Sequence, residues 1–204
     1  MRITFLISTL VYSLFTFSQN DAKKEIERFQ NELNSYYSDS TTSPLPGEDY
    51  KSFQGHAFYE VDLKYRVVAK FVRTKKAKVF EMPTTGKRTP EYKKYGEAHF
   101  EIDGKQLVLE IYQNQSLKKN PKYKNYLFLP YNDQTNGEGS YAGGRYIDLK
   151  IPNGGTIVID FNKSYNPLCA YNPLKYSCPI PPEANILEVE IKAGVKFDKG
   201  NHKD

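Results

Sequence analysis

Two irregular stretches of the chain carry the side chains with chemical potential. The first, YNDQTNGEGSYAGGRYIDL over residues 131–149, surrounds Arg145 with Gly137, Gly139, Gly143 and Gly144 and holds the acids Asp133, Glu138 and Asp148. Glycines beside an arginine let backbone amides approach a ligand closely, and a guanidinium grips a carboxylate or phosphate in a bidentate fork. The same residues also read as an ordinary turn before a strand, with Arg145 paired to Asp148 or Asp160. The second stretch, DFNKSYNPLCAYNPLKYSCPIPPEANILEVEIKA, runs from Asp160 to Ala193 and is dense in Asn, Tyr and Pro. Each X-Pro pair commits its own backbone and the residue before it, and each Asn can bond neighbouring main chain in place of a ladder. Asp160, Asn162, Tyr165, Asn166, Asn172, Glu183 and Asn185 are the polar groups from which a pocket can be built there. Asp160 and Glu183 also form the one candidate carboxylate pair for acid and base work on a glycosidic bond, a reading whose defining quantity is a distance.

Other chemistries find little support. Ser140 follows Gly139, but Glu138 stands where a nucleophile elbow needs glycine. The three histidines, His56, His99 and His202, lie far apart in sequence. No C-x-x-C spacing occurs, so no metal site is expected and no cofactor is implied. Cys169 and Cys178 read as a disulfide if the chain is exported, since the exterior is oxidising; the competing reading is a nucleophilic or redox thiol.

Export is expected from the first eighteen residues. MRITFLISTLVYSLFTFS begins with one cation, continues as an apolar and hydroxyl-bearing run, and breaks abruptly into QNDAKKE. That layout suits a signal peptide over 1–18, cleaved after Ser18, and its apolar segment is short for a membrane span. The mature chain of 186 residues suits one domain, periplasmic or extracellular, with no stable membrane insertion. Its net charge of +4, after loss of Arg2, makes no case for nucleic-acid binding.

The elements that must position these residues are mostly strands. A helix is expected over 19–40, where Ile26, Phe29, Leu33 and Tyr36 or Tyr37 recur at three- and four-residue steps, with Asp21 as N-cap. A turn-rich linker follows, and the period changes to two. From Lys64 to Val72, Tyr65, Val67, Ala69 and Phe71 share one face. Ala98, Phe100 and Ile102 do the same, as do Leu107, Leu109 and Ile111, with Asp103-Gly104 between them as a hairpin turn. Further strands are expected at 126–130, 145–149, 156–161 and 186–192. In the third of these Asp160 faces away from the core, leaving its carboxylate free. No long helical pattern separates the strands, so the fold expected is mainly β, an antiparallel sandwich or barrel over 41–197 with an N-terminal amphipathic helix and a mobile tail over 198–204.

The order SPLP, FQGHAFYEVDLKYRVVAKF, KKYGEAHFEIDG, NGEGSYAGGRYIDL and IDFNKSYNPLCAYNPLKYSCPIPPEANILEVEIKAG resembles the bacterial domain-of-unknown-function family 1684 over Ser43 to Gly194. The chain departs from the family pattern at Val195 and at Gly139-Ser140. The resemblance implies a fold and adds Tyr141 to the motif residues, alongside Gly144, Arg145, Asp160, Asn162, Tyr165, Asn166, Cys169, Cys178, Pro181, Pro182 and Asn185. The reading that follows is an envelope binding or accessory domain. Its polar pocket lies around Arg145 and takes an anionic or polar small ligand, with Tyr141, Arg145, Asp160, Asn162, Tyr165, Asn166 and Asn185 as contacts. Alternatives are a hydrolase acting on carbohydrate or ester through Asp160 and Glu183, and an interaction protein without a pocket.

Overall fold

The computed structural model describes residues 3–196, with side chains from residue 19 onward; the expected signal peptide and tail lie outside the described side chains. Helix α1 spans Ile3–Ser38 and runs unbroken through Asp21, so that residue caps nothing. Its stripe lands as its spacing requires: Ile26 and Tyr37 are buried, Phe29 and Leu33 half-buried. Glu25 ties the helix to the sheet by ion pairs with Arg66 at 3.2 Å and Lys163 at 2.5 Å. Among the described residues no helix is long and apolar enough to cross a membrane.

Among the described residues seven strands follow: β1 Arg66–Arg73, β2 Val79–Glu81, β3 Glu91–Ile102, β4 Lys105–Asn114, β5 Tyr126–Tyr131, β6 Arg145–Lys150 and β7 Thr156–Asp160. They form one antiparallel sheet in the order β6-β5-β4-β3-β1-β7, with β2 beside the first half of β3. The edge strands β6 and β7 approach each other, so the sheet curls into an open half-barrel. Asp103 and Gly104 both take positive φ, at 50° and 78°, as the two-residue β3–β4 hairpin demands.

The period-two pattern sorts the side chains onto two faces. Val67, Ala69, Ala98, Phe100, Leu109, Ile111, Leu127, Leu129, Ile147, Leu149, Ile157 and Ile159 fill the main core inside the curl. Tyr92, Tyr112, Phe128 and Tyr146 leave the same strands in the opposite direction. There they meet Met82, Cys169 and Cys178 in a second, aromatic cluster. Both faces of β5 are therefore covered, while the outer face of β6 is covered at Tyr146 and exposed at Asp148 and Lys150.

One expected strand is absent. Residues 186–192 keep the alternation, with Leu187, Val189 and Ile191 buried and Glu188, Glu190 and Lys192 exposed, yet they form no ladder. Their main chain is satisfied instead by single bonds: Leu187 N donates to Asn132 O, Gln134 N to Val189 O, and Ile191 N to the carboxylate of Asp133. Burial had the right period, but the partners are side chains and isolated bridges rather than a neighbouring strand.

Candidate functional site

Arg145 opens β6, and parity sends it inward with Ile147 and Leu149 while Asp148 points the other way. It is fully buried, at 0% exposure. Its Nη2 donates to Asp133 Oδ2 at 2.7 Å and to the Ile191 carbonyl at 2.8 Å, and its Nη1 donates to the Ala193 carbonyl. Asp133 Oδ1 accepts from Thr135 N, Thr135 Oγ1 and Ile191 N at 2.9, 2.6 and 3.1 Å. Burial presses the guanidinium toward neutrality, and Tyr131 and Asp133 beside it more than reverse that, holding its pKa above the usual value. The expected pairing of Arg145 with Asp148 or Asp160 is corrected, since its ionic partner is Asp133; its Nη donors go to Asp133 and the 186–193 backbone, while Nε is buried with no partner among the described residues.

Asp160, Asn162, Asn166, Asn172 and Asn185 are likewise engaged within the protein. Asp160 does face away from the main core, but its carboxylate is not free. Oδ2 accepts from Arg66 Nη1 at 2.7 Å, directly across the β1–β7 pair, and Oδ1 accepts from Asn162 N at 3.1 Å. Asn162 grips both the amide and the carbonyl of Asp62, at 3.1 and 2.9 Å. Asn185 is buried and bonds Glu110 N, Glu110 O and Pro130 O at 2.8, 2.9 and 2.6 Å, splicing β4 to β5. Asn166 donates to the Tyr171 hydroxyl at 3.0 Å, and the Asn172 amide donates to Pro44 O at 3.2 Å. Tyr141 is half-buried, with its ring against Gly143. Glu183 is exposed at the start of a 310 turn packed on β4, three strands from Asp160 on β7. The candidate carboxylate pair is not assembled.

Tyr165 is the exception, and it leads to a site that the sequence reading missed. It lines a groove of about 480 Å³ on the outer face of the sheet, closed on one side by Phe29, Leu33 and Tyr36 of α1. Ligand pockets commonly run from roughly 300 to 1,000 Å³. Tyr126, Phe128, Tyr146 and Tyr165 wall it, and Asp148 lies in its lining. The carboxylate Oδ1 accepts from both the Tyr165 hydroxyl, at 2.6 Å, and the Tyr126 hydroxyl, at 2.8 Å. Among the described residues Oδ2 has no donor. Asp148 is exposed to solvent, yet the protein crowds it closely enough that desolvation raises its pKa above the usual carboxylate range, against the lowering effect of the two tyrosines. The two facts describe a concave wall: water enters through the groove, while protein surrounds the rest of the carboxylate. Desolvation likewise raises the pKa of Tyr126 and Tyr165, so both remain hydrogen-bond donors.

Residues 51–196 match the family model described as Protein of unknown function (DUF1684). The chain belongs to this family. No curated protein matches it. Among solved structures it is similar to an uncharacterised protein of Haloarcula marismortui determined in solution by NMR. The two are 31% identical, the match covers 89% of this chain and 97% of that one, and the TM-score is 0.69.

In this DUF1684 domain the two cysteines are adjacent, buried and free. Cys169 N donates to Cys178 Sγ at 3.0 Å. The Cys178 thiol hydrogen-bonds to Cys169, lowering the Cys169 pKa to about 7 and raising that of Cys178. The disulfide expected from the sequence is therefore unformed in this structure, although the fold brings the two side chains together across a loop of nine positions. Cys178 also lines the groove. No group of three or more metal-ligating side chains occurs among the described residues.

Two signals for the groove were present in the sequence. Tyr126 and Phe128 alternate with Leu127 and Leu129, so β5 is aromatic or apolar on both faces, and Tyr146 puts an aromatic ring beside them on β6. A strand covered on both sides reads this way. Asp148 then stands as a charge in that aromatic row, but what surrounds it became visible only when α1 and Tyr165 were placed.

Proposed function

We propose that this protein is an exported small-molecule-binding domain whose ligand enters the tyrosine-lined groove rather than a pocket around Arg145. The observation that carries the reading is Asp148, a groove-lining carboxylate held on one oxygen by two tyrosines, with no donor on its other oxygen among the described residues. A carboxyl whose folded pKa lies above its unfolded value is disfavoured in the folded state wherever it is charged, so stability is lost as pH rises through that range. Asp148→Asn, which keeps an oxygen to accept both tyrosines, is therefore expected to unfold at the same or a higher temperature at neutral pH. A clear drop in its melting temperature would assign Asp148 to stability and remove the functional argument.

The binding reading is tested by a ligand-detected NMR screen of small aromatic, aliphatic and sugar fragments on the mature chain. A parallel screen uses Leu33→Trp, which fills the groove from α1. Hits in the parent that vanish in the variant support the groove. Hits that persist unchanged, or a screen without hits, overturn it.

Export is supported by Arg2 and the apolar run behind it, and it predicts the state of the cysteines. Protein recovered from the exterior or periplasm is expected to show no titratable thiol when denatured without reductant, and two after reduction. Two thiols before reduction would refute the bridge. By loop entropy, closing it adds roughly 2 to 3 kcal/mol to stability.

A further inference from the structure

We infer that the groove selects an organic ammonium ion, a protonated amine carried on an apolar or aromatic body; this rests on the groove being the ligand site. The hydroxyl hydrogens of Tyr126 and Tyr165 go to Asp148 Oδ1, and that of Tyr146 goes to the Pro179 carbonyl. With those three committed, what this wall presents to a ligand is electron-rich: Asp148 Oδ2, the lone pairs of the phenolic oxygens, and aromatic ring faces with negative quadrupoles.

The three committed hydroxyls offer an anion no free donor, which leaves Arg88 as the one cation in the groove lining. A neutral hydroxyl would satisfy Oδ2 but leave the carboxylate charge uncompensated. An N–H⁺ group donates to Oδ2 in a charge-assisted bond and lies against aromatic rings that attract cations. Among the described residues no cation is paired with Asp148. Arg88, exposed on the connection between β2 and β3, lines the same groove, yet among the described residues it forms no ion pair with Asp148. The influences acting on the Asp148 carboxyl are burial and the two tyrosines, with no cation among them. Phe29, Leu33 and Phe128 supply apolar surface for the body of the ligand. Arg88 leaves room for an acceptor at its far end.

The test is isothermal titration with three probes of one shape, phenethylammonium, 2-phenylethanol and 3-phenylpropionate, against the parent chain and Asp148→Asn at neutral pH. The parent is expected to bind phenethylammonium roughly 10- to 100-fold more tightly than phenylethanol, the range of a charge-assisted hydrogen bond, and phenylpropionate more weakly still. In Asp148→Asn the amine is expected to fall to the level of the alcohol while the alcohol is unchanged. If all three probes bind the parent equally, or the alcohol or acid binds best, the ammonium class is overturned and the groove reading stands. If none binds the parent and the fragment screen is also empty, both fall. Should Asp148→Asn not fold, the three-probe series on the parent decides by itself.

Discussion

Arg145→Met is expected to destabilise the domain by about 3–5 kcal/mol, because it leaves the Asp133 carboxylate buried without its cation. In a chain of this size that corresponds to a fall in melting temperature of roughly 6 to 20 °C. Both side chains of the pair have 0% exposure, so water cannot replace what is removed. The loss spreads further than one ion pair. The guanidinium also holds the carbonyls of Ile191 and Ala193, and Asp133 holds the Ile191 amide, so the 186–193 segment loses the bonds that stand in for a ladder. Asp133→Asn combined with Arg145→Met is expected to be more stable than Arg145→Met alone. An asparagine oxygen still accepts from Thr135 and Ile191, and no uncompensated charge is left behind. Urea unfolding followed by tyrosine near-ultraviolet dichroism measures both. A loss below about 1 kcal/mol for the single variant contradicts the role assigned to the pair, since exposed ion pairs sit at that level.

The second large effect is expected at Asn185. Asn185→Ala removes three hydrogen bonds and leaves Glu110 N, Glu110 O and Pro130 O without the side chain that joined them. A buried backbone group left unmade costs about 1–3 kcal/mol, and the three overlap, so a total near 3 kcal/mol is expected. The position matters because β4 and β5 share a single register pair, Tyr112 with Phe128, and Asn185 fills the place where further ladder bonds would lie. Hydrogen exchange gives a local readout. The Glu110 amide is expected to exchange faster in the variant while the Ala98 and Leu109 region of the β3–β4 pair keeps its protection. Unchanged exchange at Glu110 would mean that the splice does not hold the two strands together. Asn185→Asp is expected to be worse than alanine, since a carboxylate would face the two carbonyls that the amide now satisfies.

Asp148 belongs to a different category from Arg145 and Asn185. Those two have every sign of being required by the fold: complete burial and backbone partners from distant segments. Asp148 is exposed to solvent and raised in pKa by its surroundings, the combination on which the proposed cation site rests.

The chain's own residue order determined the strands and their faces. Tyr65, Val67 and Ala69, Ala98, Phe100 and Ile102, and Ile157, Ile159 and Phe161 each point where their alternation says, and Asp103-Gly104 turns where its dipeptide says. The α1 stripe is equally local. These features rest on steric and solvation preferences acting between residues a few positions apart, so they are legible without a fold. Even the separation of Arg145 from Asp148 was available, since three residues along a strand place them on opposite faces.

Only the tertiary structure decided what each charge meets. Arg145 lies twelve positions from Asp133 and more than forty from the carbonyls it holds, and Asp160 is matched to Arg66 ninety-four positions away. Those pairings depend on which strands become neighbours and on how the irregular 160–193 segment wraps the barrel, and no local preference encodes either. The groove is the clearest case. Its walls come from α1, β5, β6 and the loop that carries Tyr165 and Cys178, and the Asp148 carboxylate acquires its character from the tyrosines that close around it. Solvent access and charge compensation are properties of that three-dimensional enclosure, which is why the bonds made by Arg145, Asp160 and Asn185, and the groove on the outer face of the sheet, emerge only from the fold.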